Sequence, residues 1–216
     1  HFSMHAAKHD MVGMCATSAG SGVLPTFSAE ERFGTNPISI AALGRNEAPF
    51  LYDAASSQIA GNKFTLATRV GSDLLSGWIA DEEGTPIMNE TPVPEGGWYG
   101  RLLPLGGTRE NGSHKGYGMI MMVEVLGALL SGSVPGMFDS KKFESGYKHY
   151  FAAYDIAAFT DVDEFKDNMD GMLKMLRESK PAPGHERVLY PGLAEHEDEQ
   201  DRRANGIPLH TEVLEW

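Results

Sequence analysis

Apolar residues along the chain fall into two periods, and the periods alternate. Phe2, Ala6 and Ala7 recur at helical spacing over residues 2–10. The run Met11-Val12-Gly13-Met14-Cys15-Ala16 is then short and apolar, closed by Thr17-Ser18-Ala19-Gly20, which predicts a helix followed by a buried strand. After a Gly/Ser/Pro-rich loop to Phe33, Ile38-Ser39-Ile40-Ala41-Ala42 and Phe50-Leu51-Tyr52 predict two more strands. Residues 54–75 fit either helix or loop, and residues 81–114 are dense in Gly and Pro, which predicts a long irregular excursion of the kind that often carries function. Residues 116–132 return to helical period, with Met119, Met122, Val123, Leu126 and Leu130 on the expected buried face. Residues 150–156 read as a strand and 163–179 as an amphipathic helix turning Phe165, Met169, Met172, Leu173 and Leu176 inward. The remainder predicts a closing strand or turn, and the acidic run Glu195-His196-Glu197-Asp198-Glu199 reads as a solvated helix start rather than a metal site. Strands and helices alternate, so the expected class is α/β.

Composition narrows the partners more than the fold. A chain of 216 residues forms one large domain or two small ones, at about 100–200 residues per domain. Hydrophobic residues make up 41% and charged residues 22%, the balance of a folded protein. The net charge of −12 excludes nucleic acid as the expected partner, because phosphate neutralisation needs a basic face. A small anion stays within reach, since one or two local cations outweigh a distant field that salt screens within about 10 Å. Cys15 is the single cysteine, so neither an intrachain disulfide nor a cysteine zinc site can be built, and a reducing, cytoplasmic setting fits. The longest apolar stretch, residues 119–130, contains Glu124 and falls short of the ~20 residues a membrane span needs, which predicts a buried helix and no membrane partner. The opening residues from His1 lack the features of a signal peptide and read as the interior of a helix, so the chain is expected to start inside a longer protein.

No G-x-G-x-x-G or Walker sequence is present, so dinucleotide phosphates, if bound, are held by other segments. Three segments qualify. Gly34-Thr35-Asn36-Pro37 makes a tight turn before a strand, where the Thr35 hydroxyl and Asn36 amide either hold a phosphate or ribose oxygen or simply form an Asx-type turn. Tyr52-Asp53-Ala54-Ala55-Ser56-Ser57 ends a strand in a carboxylate followed by small residues, suited to ribose hydroxyls or else to capping a helix from Ala54. Leu103-Pro104-Leu105-Gly106-Gly107 and Gly112-Ser113-His114-Lys115-Gly116-Tyr117-Gly118 precede the buried helix. There, free N–H groups and Lys115 attract anions, or the segment is a flexible loop with a solvated lysine.

Taken in order, Gly34-Thr35-Asn36-Pro37, Asp53-Ala54-Ala55-Ser56, Leu103-Pro104-Leu105-Gly106-Gly107 with His114-Lys115-Gly116-Tyr117-Gly118, and Tyr190-Pro191-Gly192 closely resemble the malate/L-lactate dehydrogenase family of the non-Rossmann type. That family takes in ureidoglycolate and sulfolactate dehydrogenases, 2,3-diketogulonate reductase and piperideine-2-carboxylate reductases. The resemblance implies a sulfolactate dehydrogenase-like NAD(P)-binding domain, expected over residues 1–148. A second α/β part built from both chain ends is expected over residues 149–216, with its N-terminal part missing. It implies a homodimer, NAD or NADP as cofactor and a small 2-hydroxy or 2-keto carboxylic acid as substrate. The alternatives are a cyclic imine acid, or a cofactor-binding remnant without turnover.

By motif position, the resemblance places Thr35, Asp53, Ala54, Ala55, Lys115 and Gly116 at the cofactor, with Gly184 and His185 as further contacts. Two departures alter the cofactor pose: Thr17-Ser18-Ala19 stands where the family has Thr-Asn-Ser, and Pro25-Thr26-Phe27-Ser28 where it has Pro-x-Gly-Gly. The family's acid/base histidines and substrate arginine lie upstream of an ungapped match, so the catalytic residues are expected outside the chain; the alternative is a gapped match that makes His1-Phe2 the family's His-Phe-Gly segment. None of the eight histidines here sits in a motif that compels the role: His5 and His9 form a surface pair, and His114 either touches a ligand or decorates a loop.

Overall fold

The computed structural model describes residues 1–94, 101–138, 146–211 and 214. Four strands, β1 (Met11–Ser18), β2 (Ile38–Ala42), β3 (Phe50–Ala54) and β4 (Lys148–Asp155), form one antiparallel sheet in the order β3-β2-β1-β4. The helices are α1 (Phe2–Ala7), α2 (Asn62–Val70), α3 (Ser113–Val123), α4 (Val162–Arg177) and α5 (Leu193–Asn205), and a π-helical turn over Glu124–Leu129 continues α3. The ambiguous stretch at 54–75 resolves into the end of β3, a loop and α2, which stops at Gly71 in the left-handed conformation. The last segment carries α5, and residues 206–210 after it form no strand, so the expected closing strand is replaced by a helix. Wherever described, residues 81–112 are irregular, held by isolated bridges such as Ile79 to Leu102 and Ala80 to Pro86, and the last two residues of the expected excursion, Ser113 and His114, already open α3.

The chain divides into two compact units: His1–Met14, Ile40–Tyr52 and Ala152–Trp216 in the first, Cys15–Ser39 and Asp53–Phe151 in the second. The first unit has a small core of Leu173, Tyr190 and Leu193, with Ala48, Phe50 and Met169 against it. α4 packs through a narrower seam than its sequence predicts: Leu173 is buried and Phe165 and Met169 are half-buried, but Met172 and Leu176 are exposed. Polar anchors take the remaining seam positions. Lys166 pairs with Asp10, Arg177 with Glu47, and Asp170 accepts four hydrogen bonds from residues 45–47 at 2.8–3.1 Å.

The second unit holds the larger core, in which Val23, Phe33, Ile59, Phe64, Leu74, Ile79, Leu102 and Ile120 pack together. Its central helix also departs from expectation. Of the face predicted from Met119, Met122, Val123, Leu126 and Leu130, only Val123 is fully buried, while Met122 and Leu130 are exposed. Small residues face inward instead: Ser113, Gly116, Gly127 and Ala128, together with Ile120 and Glu124. Close approach to neighbouring backbone selects for size over hydrophobicity on that face, so the bulky apolar side chains are turned out.

Candidate functional site

Three of the segments singled out by sequence meet at one serine of the second unit. The Ser56 amide donates to the Thr35 carbonyl at 2.8 Å, and its hydroxyl to the Asn36 carbonyl at 2.8 Å. Its own carbonyl accepts from the Leu105 amide at 2.9 Å. Gln58 reinforces the junction: its amide donates to the Leu103 carbonyl at 2.9 Å, and its side-chain oxygen accepts from the Gly106 amide at 3.0 Å. The first turn of α3 closes against the same loop, because Gly116 lies so near Leu105 that a Cβ there would sit 2.3 Å from the Leu105 carbonyl oxygen. Only glycine admits that approach. The segments at 34–37, 53–56, 103–107 and 113–116 are thereby fixed to one another by main-chain bonds and backbone contact.

Around this junction, Asp53 is exposed at the end of β3, Ala54 and Ala55 are half-buried, and Thr35 is half-buried. Asp53 does not cap a helix from Ala54, because it belongs to β3 and α2 starts at Asn62. Lys115 is exposed in the first turn of α3 and makes no ion pair among the described residues. The amides there are partly committed: the Ser113 N–H donates to the Thr108 carbonyl and the Lys115 N–H to the Gly112 carbonyl, each at 2.8 Å. The charge of Lys115 therefore offers an anion more than those two amides do. Arg109 contacts His114 Nδ1 at 2.9 Å, and Thr26 and Ser113 share a hydroxyl contact of 3.1 Å.

Asn36 corrects the sequence reading. It is fully buried in a left-handed conformation, and its amide is spent within the protein. Its Nδ2 donates to Glu124 at 2.8 Å and to the Ile120 carbonyl at 3.3 Å, while its oxygen accepts from the Ala19 amide at 3.1 Å. It holds no ligand atom and forms no Asx turn; it ties the 34–37 turn to the helix. Glu124 is the other end of that tie, accepting also from the Ser18 hydroxyl at 2.9 Å and the Gly136 amide at 3.3 Å. Sequence reasoning took Ser56 only as a small residue of its segment and missed its joining role, and it missed Gln58 and this Glu124 network altogether. A signal existed for Glu124: a carboxylate inside an apolar helical run is buried only when it is fully hydrogen-bonded.

Gly184 and His185 belong to the first unit, in an exposed turn where the His185 amide donates to the Ala182 carbonyl at 3.1 Å. His9 Nδ1 contacts the His5 carbonyl at 2.8 Å, with the two rings edge to face. Among the described residues no group of three or more His, Cys, Asp or Glu is placed to hold a metal ion, and no helix is long and apolar enough to cross a membrane.

Known proteins share this chain's sequence and fold. The chain is 34% identical to malate dehydrogenase of Pyrococcus horikoshii over 218 residues, covering 100% of this chain and 59% of that one. It is 25% identical over 221 residues to ureidoglycolate dehydrogenase (NAD(+)) of Escherichia coli O157:H7, covering 100% of this chain and 60% of the other. The crystal structure of malate dehydrogenase from Entamoeba histolytica superposes with a TM-score of 0.83 at 33% identity, covering 96% of this chain and 60% of that one. The chain thus spans about 60% of the length of these relatives. The malate/L-lactate dehydrogenase family model matches residues 1–216, and the chain belongs to that family.

Proposed function

We propose that this chain is the dinucleotide-binding portion of a dehydrogenase acting on a small 2-hydroxy acid or its 2-oxo partner, with NAD or NADP as cofactor. The observation that carries the reading is the junction at Ser56, which draws the Thr35, Asp53–Ala55 and Lys115–Gly116 segments to one place in the second unit. The donor set fits a dinucleotide. Lys115 supplies a cation with no ion pair among the described residues for phosphate, Asp53 an exposed carboxylate for ribose hydroxyls, Thr35 a hydroxyl, and Ala54, Ala55 and Gly116 the small surfaces a ribose-phosphate chain needs. Gly184 and His185 enter on the resemblance alone.

When bound, the nicotinamide supplies the hydride acceptor or donor. The balance is a 2-hydroxy acid giving up C2 hydride and its hydroxyl proton to become the 2-oxo acid, with reduced cofactor and a proton as the other products. The chain's residues bind and orient; none is assigned here as the acid/base that moves that proton. We also propose a homodimer in a cytoplasmic setting. The dimer is supported by an apolar surface of Met122, Leu129 and Leu130, each more than half exposed, and the compartment by the lone thiol of Cys15.

Titration of the chain with NADH and with NADPH, followed by nicotinamide fluorescence, tests the reading. Saturable binding of at least one is the expected result, and Lys115→Ala should weaken it roughly ten- to a hundredfold, the scale of one charge-assisted hydrogen bond. Absence of binding by both to a folded sample defeats the proposal.

A further inference from the structure

The backbone of Phe27 is strained, and nothing in the fold makes use of the strain. The Ser28 amide donates to the Pro25 carbonyl at 2.9 Å and closes a four-residue turn, in which Phe27 is the third residue with a φ of 71°. That position favours Gly or Asn, because a larger side chain in the left-handed region crowds its own backbone. Asn36 also has a positive φ, but its buried side chain compensates with three hydrogen bonds. The Phe27 ring is 86% exposed and makes no ring contact among the described residues. A strained aromatic side chain that the fold leaves in solvent points to a ligand.

Phe27 stands at the mouth of a cavity of about 320 Å³ beside the first turn of α3, enclosed by three loops of the second unit. The Thr26 and Ser113 hydroxyls, 3.1 Å apart, link the loop of Phe27 to the start of α3. The walls are largely apolar, with Leu24, Leu103 and Pro104 buried behind Pro86 and Met88. Among the lining residues Arg109 is the one cation. It contacts His114 through a single nitrogen and makes no ion pair among the described residues, so its guanidinium plane, like the Phe27 ring, is available to stack on a flat ligand. Apolar walls disfavour a charged ring and Arg109 repels a cationic one, which excludes oxidised nicotinamide. A neutral purine meets each condition. The volume lies at the lower end of the roughly 300–1,000 Å³ of ligand pockets, enough for one such ring and too small for a whole dinucleotide. Lys115 Nζ lies 3.9 Å from where a Cβ on Gly112 would stand, so a phosphate carried out of the cavity past Ser113 meets its charge.

We propose that this cavity is an adenine subsite and that Phe27 is the residue that stacks on the ring. The adenine comes from the dinucleotide itself or from a separate adenine nucleotide. The first source rests on the dehydrogenase reading; the binding rests on the cavity and Phe27 alone.

Ligand-observed NMR on the full chain tests it with three probes: AMP, oxidised nicotinamide mononucleotide and ribose 5-phosphate. The last two keep the phosphate and change or lack the ring. The expected result is millimolar binding of AMP, at least tenfold weaker for the other two. Phe27→Asn suits the left-handed backbone and removes the ring. It should weaken AMP about tenfold, the scale of one base–aromatic stack, while melting no lower than the wild type. Phe27→Tyr keeps the ring and should hold AMP affinity within about threefold. Failure of AMP to bind, equal affinity for nicotinamide mononucleotide, undiminished AMP binding by Phe27→Asn, or a lower melting temperature in that variant overturns the subsite. The same samples are titrated with NADH and NADPH. Displacement of AMP assigns the adenine to the dinucleotide, and simultaneous binding assigns it to a separate nucleotide; both uphold the subsite. Dinucleotide binding without AMP binding removes only the subsite. AMP binding as described without dinucleotide binding upholds the subsite and removes the dehydrogenase reading.

Discussion

Asp170 shows what a single carboxylate does for the first unit. Burial pushes its pKa up, but hydrogen bonds from the Glu47, Asn46 and Arg45 amides and the Asn46 side chain outweigh that and hold it below the ordinary carboxylate value. A depressed folded pKa contributes stability that is complete above the unfolded value of about 4 and is lost as pH falls through the lower folded one. Thermal melts between pH 6 and pH 3 should therefore show the wild-type chain losing more stability on acidification than Asp170→Asn, which starts lower and changes less. Glu124 makes the matching case in the second unit. Glu124→Ala strands the Ser18 hydroxyl, the Asn36 amide and the Gly136 N–H in the interior, at a cost on the order of 3 kcal/mol. Glu124→Gln, which keeps one acceptor oxygen, should cost less than half as much in chemical denaturation. Neither role was readable from spacing, because a hydrogen-bond network joins residues as far apart as Ser18 and Glu124, and sequence period carries no record of that pairing.

At the scale of elements, the sequence was informative about where strands and helices lie and less so about which way they face. β1, β2, β3 and β4 each fall on an apolar run bounded by Gly, Pro or polar residues, and period-two or continuous apolar runs survive any tertiary context. α3 and α4 fail at the level of faces for different reasons. In α4, Lys166, Asp170 and Arg177 occupy seam positions because they carry ion pairs or accept backbone bonds. In α3, packing distance decides: the loop at residues 103–107 approaches so closely that glycine outranks leucine as an inward residue. Gly116→Ala should push α3 from Leu105 and lower stability by about 1–3 kcal/mol. It should also weaken dinucleotide binding by more than a stability-matched substitution elsewhere in the unit. Equal dinucleotide affinity in Gly116→Ala would place the helix start outside the site.

Across the whole molecule, charge and location of motifs answer different questions. The motif order from Gly34 to Gly192 was enough to indicate the family, because four weak signals at set intervals are jointly specific even where each has a plain structural reading. The junction that unites three of them was not legible, since most of its bonds join main-chain groups that every residue possesses, and the Ser56 and Gln58 side chains that complete it carry no mark of their distant partners. Net charge, for its part, governs approach rather than recognition. With a formal charge of −12, the repulsion of an anionic dinucleotide reaches the whole protein at a screening length of about 30 Å in 0.01 M salt and only about 8 Å in 0.15 M. Association of NADH, followed by stopped-flow fluorescence, should accelerate over that range. A rate that falls instead would mean that Lys115 and its neighbours dominate the field a ligand meets.

The π-helical turn at Glu124–Leu129 sets the phase of everything after it. Such a turn is an α-helix with one residue too many, and an extra residue advances the helix by about 100°. Removing a single residue from this stretch would restore an uninterrupted ladder and swing the following side chains by that angle. Leu129 and Leu130, now turned outward, would be re-aimed together, so a length change of one position would redraw the apolar surface without altering the composition of that face.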